Sequence, residues 1–168
     1  MWRKLRHGRI WRRILLERGT EPLHLNLLSL IVLVAGSFRA KVAFDLVVRQ
    51  HHAFSLLKQA DRARALGKSR VAVAEFGVAS GAGLVNIAKV AQRVTRATGV
   101  EFEIYGFDTG AGMPPPRDYR DHPELYAAGD FAMDLDQLRA ALPANVHLII
   151  GDVAETVPGF VASLTADA

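Results

Sequence analysis

Three acidic residues stand beside glycines in the second half of the chain, each at the end of a segment rich in apolar residues. Glu75 precedes a glycine-rich turn, Asp108 is followed by Thr-Gly, and Asp152 directly follows a glycine. A carboxylate at such a strand end accepts hydrogen bonds from hydroxyl and amino groups. The three acids therefore predict a nucleoside site, with Asp108 on the ribose hydroxyls and Asp152 on an exocyclic amine.

The turn after Glu75 reads Gly77-Val-Ala-Ser-Gly81-Ala-Gly83. Glycines let backbone N–H groups approach a ligand closely, because no Cβ stands in the way. The spacing departs from the G-x-G-x-x-G dinucleotide fingerprint, and Leu84 stands where a phosphate loop has Lys. An acid just before the first glycine favours a ligand that carries a cationic amino group.

From residue 70 onward, strand patterns alternate with helix patterns. The predicted elements are strand 71–78, helix 84–98, strand 102–108, helix 135–142, strand 146–153 and helix 156–164, with Pro158 in the first turn of the last helix. Strand–helix alternation implies right-handed crossovers and a parallel sheet, whose ligands bind at the carboxyl ends of the strands. The sequence therefore predicts an α/β domain over residues 68–168 with the three acids around one crevice.

The first 67 residues differ from this pattern. Residues 1–20 carry seven Lys or Arg and one acid, whereas the other 148 residues carry 14 basic and 16 acidic residues. We therefore predict a basic arm over residues 1–21. A solvated leader is the favoured interpretation, a membrane surface is the alternative partner, and no nucleic-acid partner is expected.

A helical extension is predicted over residues 22–67. Pro22–Phe38 has no charged residue but is shorter than the roughly 20 residues of a spanning helix, so a buried helix is favoured over a membrane or export segment. Arg39–Leu66 is predicted as one helix that Gly67 ends. His51 and His52 are adjacent, point about 100° apart on a helix and make a poor metal pair. The sequence has no cysteine, which excludes disulfides and thiolate chemistry and is typical of a reducing, cytoplasmic location.

Three segments carry a family resemblance. Glu75–Gly81 resembles motif I of class I S-adenosylmethionine-dependent methyltransferases, with Ala79 where the middle glycine is usual. Tyr105–Pro114 resembles the second-strand signature of the macrocin O-methyltransferase-like (TylF-like) branch, and Gly151–Pro158 is similar to its third-strand segment. The resemblance covers roughly residues 50–168.

This resemblance implies a Rossmann-like fold, S-adenosylmethionine as cofactor, and transfer of a methyl group to a small-molecule hydroxyl, such as that of a sugar. The glycine turn would contact the methionine part with Glu75 orienting it, Asp108 would hold the ribose, and Asp152 would lie near the adenine. The implied cofactor-binding residues are Glu75, Gly77, Ser80, Gly81, Gly83, Asp108, Thr109, Asp152 and Val153.

The resemblance also implies that only part of the family's sheet is present. The sequence supplies three strands, and in that branch the acids that bind a divalent metal and activate the acceptor follow the third strand. We therefore expect an amino-terminal part with an unpaired, apolar edge on its first strand. We expect little or no turnover from this chain alone. No catalytic residue and no metal ligand is assigned.

Two other interpretations stay open. The chain can be a non-catalytic nucleoside-binding or interaction fragment, in a homo-oligomer or on a membrane through its basic arm. A weaker alternative is a nicotinamide-dependent oxidoreductase.

The loop 114–126 is a candidate acceptor lid, with a solvated surface loop as the equal alternative. Its candidate contacts are Arg117, Asp118, Tyr119, His122 and Tyr126.

Overall fold

The computed structural model describes residues 22–166. The predicted arm, residues 1–21, lies outside the described residues. The chain divides into two compact units, of which one ends at Gln50 and the other begins at His51. The end of the helical extension at residue 67 stays a prediction.

The first unit contains the helices α1 (Leu23–Ala35) and α2 (Phe38–Ala43). The expectation that the first helix is buried is wrong, because only Ser29 and Val32 of α1 are buried while most of its leucines are exposed. Within residues 22–166, no helix has both the length and the apolar character needed to cross a membrane.

The segment 39–66, predicted as one helix, is broken after α2 and resumes as α3 (Gln50–Ala65). Asp45 adopts φ +51°, and Leu46 N–H donates to the Lys41 carbonyl at 2.8 Å. This is the hydrogen bond that closes a helix through a left-handed residue. The sequence does not predict the break, because the residue that makes it is an aspartate and not a glycine. Aspartate adopts the left-handed region only occasionally, so its presence does not mark a helix end.

The second unit adds a three-stranded sheet, and the predicted parallel α/β arrangement is confirmed. The strand order is β1-β2-β3, and both pairs are parallel. The elements that follow α3 are β1 (Arg70–Phe76), α4 (Ala82–Thr98), β2 (Glu101–Asp108), a 3₁₀ turn (Tyr119–Asp121), α5 (Leu135–Ala141), β3 (Val146–Ile150) and α6 (Val153–Ala166).

Helix α4 packs closely on the central strand. Its apolar stripe is buried at the predicted helical spacing, and Ile104 of β2 is fully buried. A Cβ added to Gly106 would lie 2.8 Å from Leu84 Cδ2 and 2.9 Å from Val78 Cγ2. The missing side chain of Gly106 is therefore what lets α4 and the turn before it approach β2.

On the opposite face of the sheet, Phe160 of α6 contacts two aromatic rings of β2. Its ring centroid lies 4.6 Å from that of Tyr105 and 5.2 Å from that of Phe107. Strand β1 pairs on one side only among the described strands, and Phe76 at its end is 57% exposed.

The last helix begins three residues earlier than predicted, at Val153. The Asp152 carboxylate accepts a hydrogen bond from Ala154 N–H at 2.8 Å, which is the geometry of a helix N-cap. Pro158 therefore falls beyond the first turn, inside α6. The sequence predicts the strand as far as residue 153, because an apolar pattern does not distinguish a helix cap from the end of a strand.

Gly81 should be needed for packing as well as for its backbone conformation. Its φ is +78°, and an added Cβ would meet the side chain of Leu138 on α5. Gly81→Ala should therefore lower the free energy of unfolding by about 3 kcal/mol, from backbone strain and overpacking together. Urea denaturation measures this loss.

The matched control is Gly99→Ala, since Gly99 also has φ +78° but no atom lies within 4 Å of its added Cβ. That variant should lose only the backbone strain, about 1–2 kcal/mol. Equal losses at the two positions would show that Leu138 does not pack against Gly81 as described.

Candidate functional site

The carboxyl ends of the three strands lie side by side. Gly77 N–H donates to the Phe107 carbonyl at 2.9 Å, and Gly151 N–H donates to the Asp108 carbonyl at 3.0 Å. The strand-to-strand hydrogen bonding thus continues into the residues that follow β1 and β3. The structure therefore brings the glycine turn, Asp108 and the start of α6 together at the end of the sheet where the strands have their carboxyl termini.

The Asp108 carboxylate is bound to the backbone around it. One oxygen accepts hydrogen bonds from Val78 N–H at 2.8 Å and Ala79 N–H at 2.9 Å, and the other accepts one from Gly110 N–H at 2.7 Å. An ionised carboxylate offers about four acceptor positions, so three of them serve the backbone. Asp108 thus fastens the turn after β1 to the end of β2, a role that sequence reasoning missed. Its contact with a ribose stays a prediction.

The turn itself bends through left-handed residues. Gly77 has φ +79° and Ala79 has φ +48°, while Ser80 beside them is exposed. A positive φ is uncommon for alanine, and the two hydrogen bonds to Asp108 hold it there. No atom lies within 4 Å of a Cβ added to Gly77. The turn therefore leaves open space directly beyond the end of β1.

Helix α4 begins at this turn without a side-chain cap. Its first intrahelical hydrogen bond runs from Val85 N–H to the Gly81 carbonyl at 2.9 Å. The first N–H groups of any helix lack intrahelical acceptors, and here they belong to Ala82, Gly83 and Leu84. Together with the helix dipole, these donors favour a negatively charged group.

Glu75 lies one residue before the end of β1, opposite Gly106 in the register. Its side chain is half-buried. A partly buried carboxylate so close to the turn favours a cationic group nearby. Along the chain, the Glu75 carboxyl therefore precedes the Gly77 turn, and the N–H donors of α4 follow it.

The end of β3 contributes exposed residues. Asp152 is exposed and uses one carboxylate oxygen for the cap of α6, and Val153 is 39% exposed. At the end of β2, Thr109 Oγ1 donates to the Gly112 carbonyl at 3.1 Å and so shapes the following turn. These three residues border the same sheet edge, and their contact with a ligand stays a prediction.

The candidate acceptor loop is closed at its base by two backbone hydrogen bonds. Met113 N–H donates to the Asp130 carbonyl at 2.7 Å, and Gly129 N–H donates to the Met113 carbonyl at 2.9 Å. Within the loop, a cleft of about 210 Å³ is lined by Met113, Pro114, Pro115, Pro116, Arg117, Asp121 and Tyr126. The loop thus carries a preformed concave surface.

Of the five candidate contacts in this loop, Arg117 and Tyr126 line the cleft and the other three do not. The Arg120 guanidinium binds the Asp118 carboxylate at 2.6 Å and lowers the pKa of that carboxyl. His122 pairs with Glu124 at 3.0 Å. These pairs shape the loop by themselves and need no ligand.

The adjacent histidines of α3 do not assemble a metal site. His52 Nδ1 lies 3.2 Å from the side-chain nitrogen of Asn86 on α4, while His51 is exposed. Among residues 22–166, no three His, Asp or Glu side chains come together as possible metal ligands.

Two solved structures are similar to this chain. A crystal structure of the calicheamicin methyltransferase CalS11 is 20% identical, with 84% of this chain and 62% of that chain covered and a TM-score of 0.48. An apo structure of CalS11, described as a TDP-rhamnose 3′-O-methyltransferase of calicheamicin biosynthesis, is 21% identical, with 84% and 60% covered and a TM-score of 0.34. The chain spans about three fifths of the length of these structures.

No protein-family model matches the chain, and the comparison with curated proteins gave no match.

The role of Asp108 as an anchor can be tested with Asp108→Asn. If the remaining oxygen keeps the two turn hydrogen bonds, the new amide NH₂ faces the Gly110 N–H, so a donor meets a donor. The variant should lose about 1–3 kcal/mol of unfolding free energy and should exchange its Val78 and Ala79 amide protons faster. Urea denaturation and hydrogen exchange measure the two effects.

Asp152→Asn is the control, because asparagine caps a helix as well as aspartate does. It should change stability by no more than about 0.5 kcal/mol. A loss as large as that of Asp108→Asn would contradict the special position of Asp108.

Proposed function

We propose that the second unit binds S-adenosylmethionine at the carboxyl ends of β1, β2 and β3. We further propose that it serves an O-methyltransferase of the macrocin O-methyltransferase-like branch, acting on a small-molecule hydroxyl such as that of a sugar. The observation that carries the proposal is the fastening of the glycine turn to Asp108 at adjacent parallel strand ends. That arrangement joins the motif I segment and the second-strand segment into one crevice.

The chemistry of the crevice suits this cofactor group by group. The uncapped N–H groups of α4 suit the carboxylate of the methionine part, and the half-buried Glu75 suits its ammonium group. The missing Cβ of Gly77 leaves room for the methionine carbon that carries both groups. Asp152 offers its second oxygen to the adenine amine. Asp108 has about one acceptor position left for a ribose hydroxyl.

When bound, S-adenosylmethionine supplies a methyl group on a positively charged sulfur; the S–CH₃ bond breaks as an O–CH₃ bond forms, the sulfur keeps the electron pair, and a base takes the hydroxyl proton. The residues of this chain contribute positioning, which accounts for much of the rate in such an in-line transfer. The crevice would position the donor, and the cleft lined by Arg117 and Tyr126 is the candidate place for the acceptor.

Several further expectations belong to this proposal. We propose a cytoplasmic location, because a chain without cysteine suits a reducing compartment. We propose that the O-methyltransferase that this unit serves uses a divalent metal at the acceptor hydroxyl. We also propose that the chain binds no nucleic acid and that it can form a homo-oligomer.

Binding of S-adenosylhomocysteine, the stable product, tests the proposal by calorimetry. Wild type should bind it, and Gly77→Ala should weaken binding at least about tenfold, because the new Cβ enters the space beyond β1. Gly99→Ala carries the same kind of backbone strain away from the crevice and should change the affinity less than about twofold. Binding of NAD without S-adenosylhomocysteine would replace the proposal with an oxidoreductase, and binding of neither would remove it.

Asp108→Ala should abolish this binding, because it releases the turn and removes the ribose acceptor together. The same calorimetric titration measures it, after circular dichroism has established that the variant is folded. An affinity equal to that of wild type would contradict the role of Asp108 in the crevice.

A further inference from the structure

Helix α1 leaves most of its apolar residues exposed and buries only a narrow stripe. Its buried residues are Ser29 and Val32, and Asn26 on the same stripe is half-buried. On the rest of the helix, Ile31 is 62% exposed and Val34 is 78% exposed. The exposed apolar residues of α1 are Leu23, Leu25, Leu27, Leu28, Leu30, Ile31, Leu33 and Val34.

This orientation is the reverse of a helix on a water-soluble surface, which buries its apolar stripe and exposes charged residues. Pro22–Phe38 contains no charged residue that could solvate the outer face. A contiguous apolar surface of this kind marks an interaction site. We call the exposed side of α1 the apolar face.

The charge of the neighbouring sequence identifies the partner. Residues 1–50 carry ten Lys or Arg and three Asp or Glu, whereas residues 51–168 carry 11 basic and 14 acidic residues. The excess positive charge therefore belongs to the unit that contains the apolar face. Both tryptophans of the chain, Trp2 and Trp11, also lie in this unit. Basic residues, tryptophan and an exposed apolar helix together are typical of a protein surface that binds anionic lipid.

The length of α1 decides how it meets the lipid. Its 13 residues extend about 20 Å at about 1.5 Å per residue, less than the roughly 30 Å of a hydrocarbon core. A helix of this length does not reach across the hydrocarbon core, so its contact with lipid would be confined to the interface.

We propose that the first unit docks on an anionic lipid bilayer. The apolar face of α1 enters the boundary between headgroups and acyl chains, and the basic residues of the arm neutralise lipid phosphates and carboxylates. Hydrophobic contact and charge act together, so loss of either one releases the protein. The proposal does not depend on cofactor binding, and the failure of S-adenosylhomocysteine to bind would leave it standing.

Co-sedimentation of the full chain with phosphatidylcholine vesicles, with and without phosphatidylserine, tests this docking. Wild type should sediment with the phosphatidylserine vesicles and stay in solution with phosphatidylcholine alone or at high salt. Because both tryptophans lie in the basic arm, their emission should shift to shorter wavelength on binding without any added label. Wild type that stays in the supernatant with the phosphatidylserine vesicles would overturn the proposal.

The triple variant Leu27→Gln/Ile31→Gln/Val34→Gln replaces three exposed apolar side chains of α1 by polar ones. Glutamine has a high helix propensity, so the helix itself should persist. Its vesicle partitioning should fall at least about tenfold. The control Val48→Gln/Leu66→Gln/Leu125→Gln changes residues that are 63%, 58% and 66% exposed outside α1, and its partitioning should change less than about twofold. Equal partitioning of the two triple variants would overturn the role of α1.

A second copy of the chain is the competing occupant of the apolar face, and sedimentation velocity without lipid separates the two. A monomer at the concentrations of the vesicle assay supports lipid docking. A wild-type dimer that the α1 variant dissociates, combined with no wild-type binding to vesicles, would assign the apolar face to self-association and overturn the proposal.

Discussion

The hydrogen bonds from Val78 and Ala79 to the Asp108 carboxylate are the contact on which the crevice depends. They join the turn after β1 to the end of β2, the central strand of the described sheet. The same turn leads into α4, whose approach to the sheet needs the bare backbone of Gly106. One side chain therefore ties the turn that contains Gly77 and leads into α4 to the end of β2. The ligand groups proposed for the crevice follow from that single placement.

Much of the second unit could be predicted from the sequence because its signals are local. The strands show as apolar segments, and glycine ends α3 and α4 where a left-handed residue is needed, at Gly67 with φ +68° and at Gly99 with φ +78°. Glycine takes this conformation more readily than any other residue, so its position alone marks a helix end. Alternation of the elements then fixed the parallel sheet, because crossovers between parallel strands have one hand.

The remaining features depend on contacts between distant residues, which local patterns do not reveal. Asp45 ends α2 in the left-handed conformation, which aspartate adopts only occasionally. Asp152 caps α6, although its position after an apolar segment is also typical of a strand end. The sequence marks Asp108 as a candidate ligand contact, yet two of the three partners of its carboxylate lie 29 and 30 residues earlier in the chain. The outward face of α1 was missed for a related reason: an uncharged apolar segment predicts burial, and the sequence does not say whether protein or lipid provides it.

The two units carry opposite charge, and this has a consequence for a bilayer-bound form of the protein. An anionic surface attracts the first unit and repels the second, which carries three more acidic than basic residues. That repulsion acts within about 10 Å of the surface at moderate ionic strength. The bilayer charge therefore does not draw the second unit, which contains Asp108 and the loop 114–126, onto the lipid. The lipid docking proposed for the first unit and the nucleoside binding proposed for the second unit are therefore physically compatible.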